Sequence, residues 1–365
     1  MKIVEITCYR LEQPLSTPYR LSYHTFEAFQ PMLVRVRDRD GRVGWGEQLI
    51  SPGSGAETRA GGWAFLNEMA LRVLGESPEA AFELIGSESE RSPVAATAIN
   101  TALEMCLGAE MLRTAEAFSW PLLTAFNAEG DEAIRAEVER RLEAGYRTLK
   151  IKVGKNLAAD IDRVRRIQAA VAGRATLRID ANRAYSRADA IAFVEALTPD
   201  GVELFEQPCD AADWEANAAV AAVSPVPLML DEPICSEADI DRAARISGVG
   251  LCKLKLKRFG SLSRLEAALL RVRGHGLRAV LGDGLGGEIN CWMEACVARR
   301  AIDSTGEFNG YLKLRPEARL LAEPLPFEGG RMQVPAGYWP EVDMARLSAH
   351  CLEQQRHAAA SIAVA

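Results

Sequence analysis

LRIDAN (177–182), ELFEQP (203–208) and LMLDEP (228–233) are apolar runs that each carry an acid at or near their end, and those acids, Asp180, Glu206 and Asp231, stand 26 and 25 residues apart. LKIKVG (149–154) comes one unit earlier with Lys150 and Lys152, and CKLKLKRFGS (252–261) comes one unit later, placing Lys255 24 residues beyond Asp231. One chemically active residue per strand-and-helix unit predicts a closed parallel barrel, whose functional groups gather at the C-terminal ends of the strands.

Working outward, each of these runs is preceded by an amphipathic helical stretch, and the runs are continuously apolar, as parallel strands covered by helices require. About eight strand candidates lie between PLLTAFNA (121–128) and GEFNGYL (306–312). The first third differs. Alternation in KIVEITCYRL (2–11) and PMLVRVRDRDGRVGWGEQL (31–49), with a turn at Asp40-Gly41, predicts an antiparallel meander of about three strands. Helical periodicity in 62–74 and 95–112 backs it. The expected fold class is therefore α/β: a modified TIM (β/α) barrel over 119–326 with an α+β capping domain over 1–118. The Gly- and Pro-rich segment 327–365 is expected to return to the cap.

At 365 residues the chain suits about two domains, and 48% hydrophobic with 25% charged residues is ordinary for a globular protein. Net charge is −7 with acids and bases interleaved, so no basic stripe exists to track a phosphate backbone and nucleic acid is excluded as a partner. Eight scattered cysteines without a CxxC pair argue against a zinc site and against a secreted disulfide scaffold. No stretch reaches the roughly 20 apolar residues needed to span a bilayer, and no signal core opens the chain, so a cytoplasmic location is expected.

Asp180, Glu206 and Asp231 offer only hard oxygen ligands, a set that selects Mg²⁺, with Mn²⁺ as the alternative, over zinc. Lys150 and Lys152 are two apart on a strand and share the interior face, where mutual repulsion and burial are expected to push one toward the neutral form a general base needs. Lys255 would address the opposite face of a substrate. Lys253 and Lys257 share its alternation, and spacing favours Lys255 among the three.

Taken together these motifs resemble the enolase superfamily, in its muconate lactonizing enzyme and mandelate racemase branch, over nearly the whole chain. The resemblance implies that Asp180, Glu206 and Asp231 bind Mg²⁺, that Lys152 and Lys255 are the acid/base pair, and that Lys150 touches the substrate carboxylate and tunes Lys152. The mandelate racemase subgroup uses a His-Asp pair instead; His275 precedes the seventh strand and falls at the wrong end, so the two-lysine subgroup is the better match. A small-molecule carboxylate substrate and a homo-oligomer are implied.

Two departures bear on substrate. Dipeptide epimerases carry Asp-x-Asp on the eighth strand to hold a substrate ammonium, whereas this chain has Glu307-Phe308-Asn309. LGDGLGGEIN (281–290) supplies Asp283 on the seventh, and with EQPC and KLKRFG is similar to members acting on proline betaine or hydroxyproline-like substrates. The expected reaction is racemisation or epimerisation of an amino acid derivative through an enediolate, with dehydration or cycloisomerisation as the alternative and a non-catalytic barrel as the remote one. Loops at 15–26 and 51–62 would close over the mouth, with Arg20, Tyr23 and His24 as candidates to meet the distal part of the substrate. Asp283, Glu307 and Asn309 complete the expected substrate contacts.

Overall fold

The computed structural model describes residues 2–20, 24–53 and 55–359. The cap begins with β1 (Ile3–Leu11), a hairpin of β2 (Gln13–Arg20) and β3 (Thr25–Phe29), then β4 (Met32–Asp38) and β5 (Val43–Gln48). Helices α1 (Arg59–Arg72), α2 (Pro78–Glu88) and α3 (Pro93–Cys106) follow. β1, β4 and β5 form the predicted antiparallel order, but Leu15–Phe26, read from the sequence as a loop, is largely the β2–β3 hairpin. Pro14 and Pro18 hid it, because proline lacks the N–H a ladder needs and is tolerated only at edges such as this separate two-stranded ribbon.

Gly44 and Gly46 show why α3 lies flat on β5. A Cβ on Gly46 would stand 2.0 Å from the Ala98 carbonyl oxygen, and one on Gly44 2.0 Å from that of Ala102. Backbone meets backbone there, and no side chain fits between.

The barrel's first seven staves are β7 (Thr124–Phe126), β8 (Thr148–Lys152), β9 (Thr176–Asp180), β10 (Val202–Glu206), β11 (Leu228–Leu230), β12 (Val249–Leu254) and β13 (Arg278–Leu281), parallel and in sequence order. β6 (Phe118–Pro121) precedes them. The intervening helices are α4 (Asp131–Glu143), α5 (Leu157–Val171), α6 (Arg187–Glu195), α7 (Trp214–Val223), α8 (Glu237–Ala243), α9 (Leu256–Phe259) with α10 (Leu262–Gly274), and α11 (Glu288–Ala301). Asn156, Ser186, Asp213, Ser236 and Ser261 start five of them by accepting a backbone N–H three residues on.

The eighth stave is irregular. Gly306 N–H donates to the Pro121 oxygen at 2.9 Å and Leu123 N–H to the Gly306 oxygen at 3.1 Å, while Glu307 N–H donates to the Leu281 oxygen at 2.9 Å. Residues 306–307 thus stitch β13 to β7 and close the barrel without forming a regular strand.

Outward-facing strand residues such as Leu149, Ile179, Phe205 and Leu230 join the main core under the helices. Inward, Leu204, Met229, Leu251 and Val280 make a separate apolar cluster, and the next inward position on three of those strands is polar: Glu206, Asp231, Lys253. β14 (Phe327–Glu328) and β15 (Arg331–Val334) pair onto β6, and after α12 (Met344–His350) the last strand, β16 (Cys351–Ala358), pairs antiparallel with β1 of the cap. No helix among the described residues is long and apolar enough to cross a membrane, and all eight cysteines are unbridged.

Cap and barrel are joined by buried carboxylates. Glu47 of β5 accepts from Gly287 N–H at 2.5 Å and Asn290 N–H at 3.3 Å, at the start of α11. Glu104 of α3 accepts from Leu262 N–H at 2.7 Å and Ser263 N–H at 3.0 Å, at the start of α10. Each satisfies helix N-terminal donors that would otherwise be orphaned and sits at the positive end of a helix dipole.

Candidate active site

Lys152 ends the second stave and Lys255 follows directly on the sixth, four staves apart in a ring of eight and therefore on opposite walls. Asp180, Glu206 and Asp231, from the third, fourth and fifth, lie between them. Lys152 Nζ meets Asp180 Oδ2 at 2.5 Å and the Asn182 Oδ1 at 2.5 Å; Lys255 Nζ meets Asp231 Oδ2 at 2.9 Å. All five line one cavity of about 500 Å³ except Glu206, which lies beneath it, fully buried.

Below the two outer lysines runs a buried charge lattice. Lys150 Nζ touches Glu206 Oε2 at 2.5 Å, Asp180 Oδ2 at 2.9 Å and Glu307 Oε2 at 3.0 Å. Lys253 Nζ touches Glu307 Oε2 at 2.5 Å, Glu206 Oε1 at 3.1 Å and Asp231 Oδ2 at 3.8 Å. Arg178, wholly buried on β9, adds Glu307 Oε1 at 3.4 Å and Glu203 at 2.8 Å.

Of the two lysines from which a neutral amine was expected, Lys150 is not the one. Burial opposes the charge on Lys150, but Asp180, Glu206 and Glu307 outweigh it and hold the ammonium well above its usual range. Lys255 goes the other way. Burial, aided by Arg258 and Lys253, outweighs Asp231 and lowers it. Glu206 is pushed up to about 7 by burial and then by the adjacent Asp180. Asp231 lies well below the carboxylate range because Lys255, Lys253 and Arg258 overcome its burial.

Several residues that spacing alone did not single out hold this arrangement. Gln207 Oε1 accepts from Asp231 N–H at 3.0 Å, and Arg258 Nη1 donates to the Asp231 carbonyl at 2.6 Å and to Oδ1 at 3.0 Å. Asn182 and Gln207 stand at positive φ, 44° and 35°, just past the acids of the third and fourth staves, a conformation non-glycine residues adopt only where their surroundings impose it.

The expected substrate contacts divide. Asp283, Glu307 and Asn309 line the cavity. Asp283, however, is paired with Lys257 at 2.6 Å, and Glu307 with Lys150, Lys253 and Arg178, so neither acid is left for a substrate's cationic nitrogen. The eighth-stave acid is neutralised by the chain's own cations. Arg20 is exposed at the end of β2 and His24 packs on Phe26, and neither lines the cavity; Tyr23 lies outside the described residues. His275 pairs with Asp241 at 2.7 Å, away from the cavity. Tyr19 and Lys313 line the cavity instead, and neither carries a motif.

Lys313 is brought down to about 8, chiefly by burial. A lowered lysine destabilises the fold below its folded value, and that cost disappears as pH rises from about 8 to the unfolded value near 10.5. Lys313→Met is therefore expected to exceed the parent in Tm most at pH 7.5, with the gap narrowing at pH 10; a gap independent of pH in thermal melts would refute this assignment.

A divalent cation is the remaining question at this site. The donors are oxygens without imidazole or thiolate, and Glu206 Oε2, fully buried, makes no hydrogen bond of good geometry although Lys150 Nζ is close by. Among the described residues no three acids are drawn tightly enough together to hold an ion as they stand, since Lys150 and Lys253 lie between them. The donor chemistry, three carboxylates on adjacent staves, nonetheless fits a hard cation.

Comparison with known proteins agrees with the geometry. Residues 133–338 match the family described as enolase C-terminal domain-like. The chain is 29% identical to the L-Lys-D/L-Arg epimerase of Methylococcus capsulatus, across 85% of this chain and 91% of that one. It is 27% identical to muconate cycloisomerase 1 of Acinetobacter baylyi, across 92% and 95%. The crystal structure of the dipeptide epimerase of Cytophaga hutchinsonii, complexed with Mg and the dipeptide D-Ala-L-Val, superposes with a TM-score of 0.87 over 98% of this chain and 100% of that one at 20% identity.

Proposed function

Because the chain belongs to the enolase superfamily, in the branch of mandelate racemase and muconate lactonizing enzyme, and is an enzyme of that branch, we propose that it racemises or epimerises an amino acid derivative by moving the proton α to a carboxylate. The observation that carries this reading is the opposition of Lys152 and Lys255 across one cavity with three acids between them.

Asp180, Glu206 and Asp231 would hold Mg²⁺, with Mn²⁺ as the alternative. When bound, the cation supplies Lewis-acid stabilisation, worth several kcal/mol, for the negative charge that an enediolate spreads over the substrate carboxylate. The chain's own residues supply the proton traffic. A neutral lysine amine on one wall takes the α-proton, the electron pair moves into the carboxylate, and the ammonium on the opposite wall returns a proton to the other face. No oxidant or reductant is needed, and configuration inverts.

Lys255 suits the amine role, since burial already disfavours its charge, and Lys152 then acts as the ammonium for one enantiomer with the roles reversed for the other. Lys150 is held charged at the cavity floor, where it would meet the substrate carboxylate. Among N-acylamino acids, dipeptides and proline betaine or hydroxyproline-like compounds, the neutralised Glu307 and Asp283 favour substrates without a free cationic nitrogen.

Proton NMR in D₂O with Mg²⁺ across those classes tests the reading. Loss of the α-proton signal without a new compound is the expected result. A vinylic or cyclised product would replace it with elimination or cycloisomerisation by the same residues, and silence from every class would sink proton transfer altogether.

A further inference from the structure

Carbonyls at the C-terminal ends of parallel staves leave the ladder there and need donors from elsewhere. On the first two staves a single side chain supplies them. Arg163, half-buried on α5, donates from Nη1 to the Lys152 carbonyl at 3.1 Å, from Nη2 to the Phe126 carbonyl at 3.1 Å and from Nε to the Ala128 carbonyl at 3.0 Å. All three nitrogens of the guanidinium are spent on main chain, and a planar, rigid fork holds its acceptors in one relative position.

Asp160 stands three residues earlier on α5 and therefore on the same helix face. Its Oδ2 accepts from the N–H groups of Gly154, Lys155 and Asn156 at 2.8, 3.1 and 3.2 Å, and from Tyr185 Oη at 2.8 Å. Only Val153 separates Lys152 from that grip, and its N–H donates to the Asp180 carbonyl at 2.9 Å. The turn is also packed shut: a Cβ on Gly154 would stand 2.5 Å from the Ala184 Cβ, and its φ of +109° suits glycine. One helix face thus fixes the main chain under Lys152 from both sides. Lys255 is carried differently, its carbonyl accepting from Arg258 N–H at 2.9 Å within the short helix α9 that follows it.

A lysine amine ends a flexible four-carbon stem, so its placement depends on the main chain it grows from. We propose that Arg163 is a positioning residue for Lys152, acting with Asp160 as a clamp that presents this amine, and not that of Lys255, to the substrate's α-carbon. The inference rests on the proton-transfer reading and deepens it: the two faces of the substrate are served by bases with separate mechanical supports, so either face can be impaired alone.

Deuterium exchange into the separate enantiomers of N-acetylalanine and proline betaine, in D₂O with Mg²⁺, tests this in variants that retain one amine. Adding Arg163→Met to Lys255→Ala is expected to slow the exchange that Lys152 alone sustains by roughly 10- to 100-fold, the cost of displacing a reacting group by about an ångström. The same change added to Lys152→Ala should leave exchange through Lys255 within about twofold. Arg163→Lys keeps the charge and loses the fork, so it should show the same one-sided loss at smaller amplitude, and it carries the test if the methionine variant does not fold. Equal losses in both backgrounds, or no loss in either, overturn the clamp.

Backbone amide exchange of the parent and Arg163→Met, followed by mass spectrometry, is read in parallel and needs no turnover. The amides of 153–156 are expected to exchange several-fold faster in the variant, with those of 256–260 unchanged. Unchanged protection at 153–156 overturns the clamp. A parent silent toward both probes whose variant loosens at 153–156 would refute proton transfer on them and leave the hold on Lys152 standing.

Discussion

Lys255→Ala is expected to lower racemisation by roughly 10²- to 10⁴-fold in both directions, the span that a positioned general acid or base contributes. Inversion needs a base on one face and an acid on the other, so Lys152→Ala should produce the same loss. The two variants part company in exchange. With one amine left, each should still wash deuterium into the enantiomer whose α-proton faces that amine, and the two variants should favour opposite enantiomers. The geometry makes the experiment clean, because Lys152 and Lys255 are anchored to different acids, Asp180 and Asp231, and removing one does not release the other. Turnover undiminished in both, or loss of exchange from the same enantiomer in both, would remove these lysines from the reaction.

Lys253→Met should be the most damaging single change to stability, about 3–5 kcal/mol by urea denaturation. Its ammonium is buried among Glu206, Glu307 and Asp231, and methionine fills the volume while leaving those carboxylates short of a counter-charge away from water. The added change Glu307→Leu should recover part of the loss by removing one of the stranded charges. Lys257→Met, whose partner Asp283 faces the cavity, should cost far less. A Lys253→Met loss under about 1 kcal/mol would mean that water reaches the lattice and that its electrostatics are weak.

The barrel was legible in the sequence because parallel staves repeat at one length, and each acid sits where its stave ends. Alternation alone could not rank Lys253, Lys255 and Lys257, since all three point inward; what separates them is depth, with Lys253 under the acids and Lys255 beyond the strand end beside Asp231. The state of Lys150 could not be read from alternation for a related reason. Its neighbour in sequence is another lysine, but its neighbours in space are three acids brought from other staves. Tyr19 and Lys313 left no trace at all: one comes from a cap hairpin, the other from a short turn after the eighth stave, and they meet nearly 300 residues apart. Lys257 and Arg258, by contrast, follow Lys255 closely in the sequence, and they hold Asp283 and Asp231.

The carboxylates that cross from cap to barrel also decide how the cavity can open. Swinging the cap away as a lid would strip Glu47 and Glu104 from the first turns of α11 and α10 together, baring four backbone donors and stranding two buried acids in a single motion. Such concerted losses belong to unfolding rather than to a catalytic cycle. Traffic through the mouth is thus assigned to short rim segments, with the cap as a fixed wall. Turnover should then be gated on the timescale of loop motion, and stiffening the cap–barrel seam should leave it untouched.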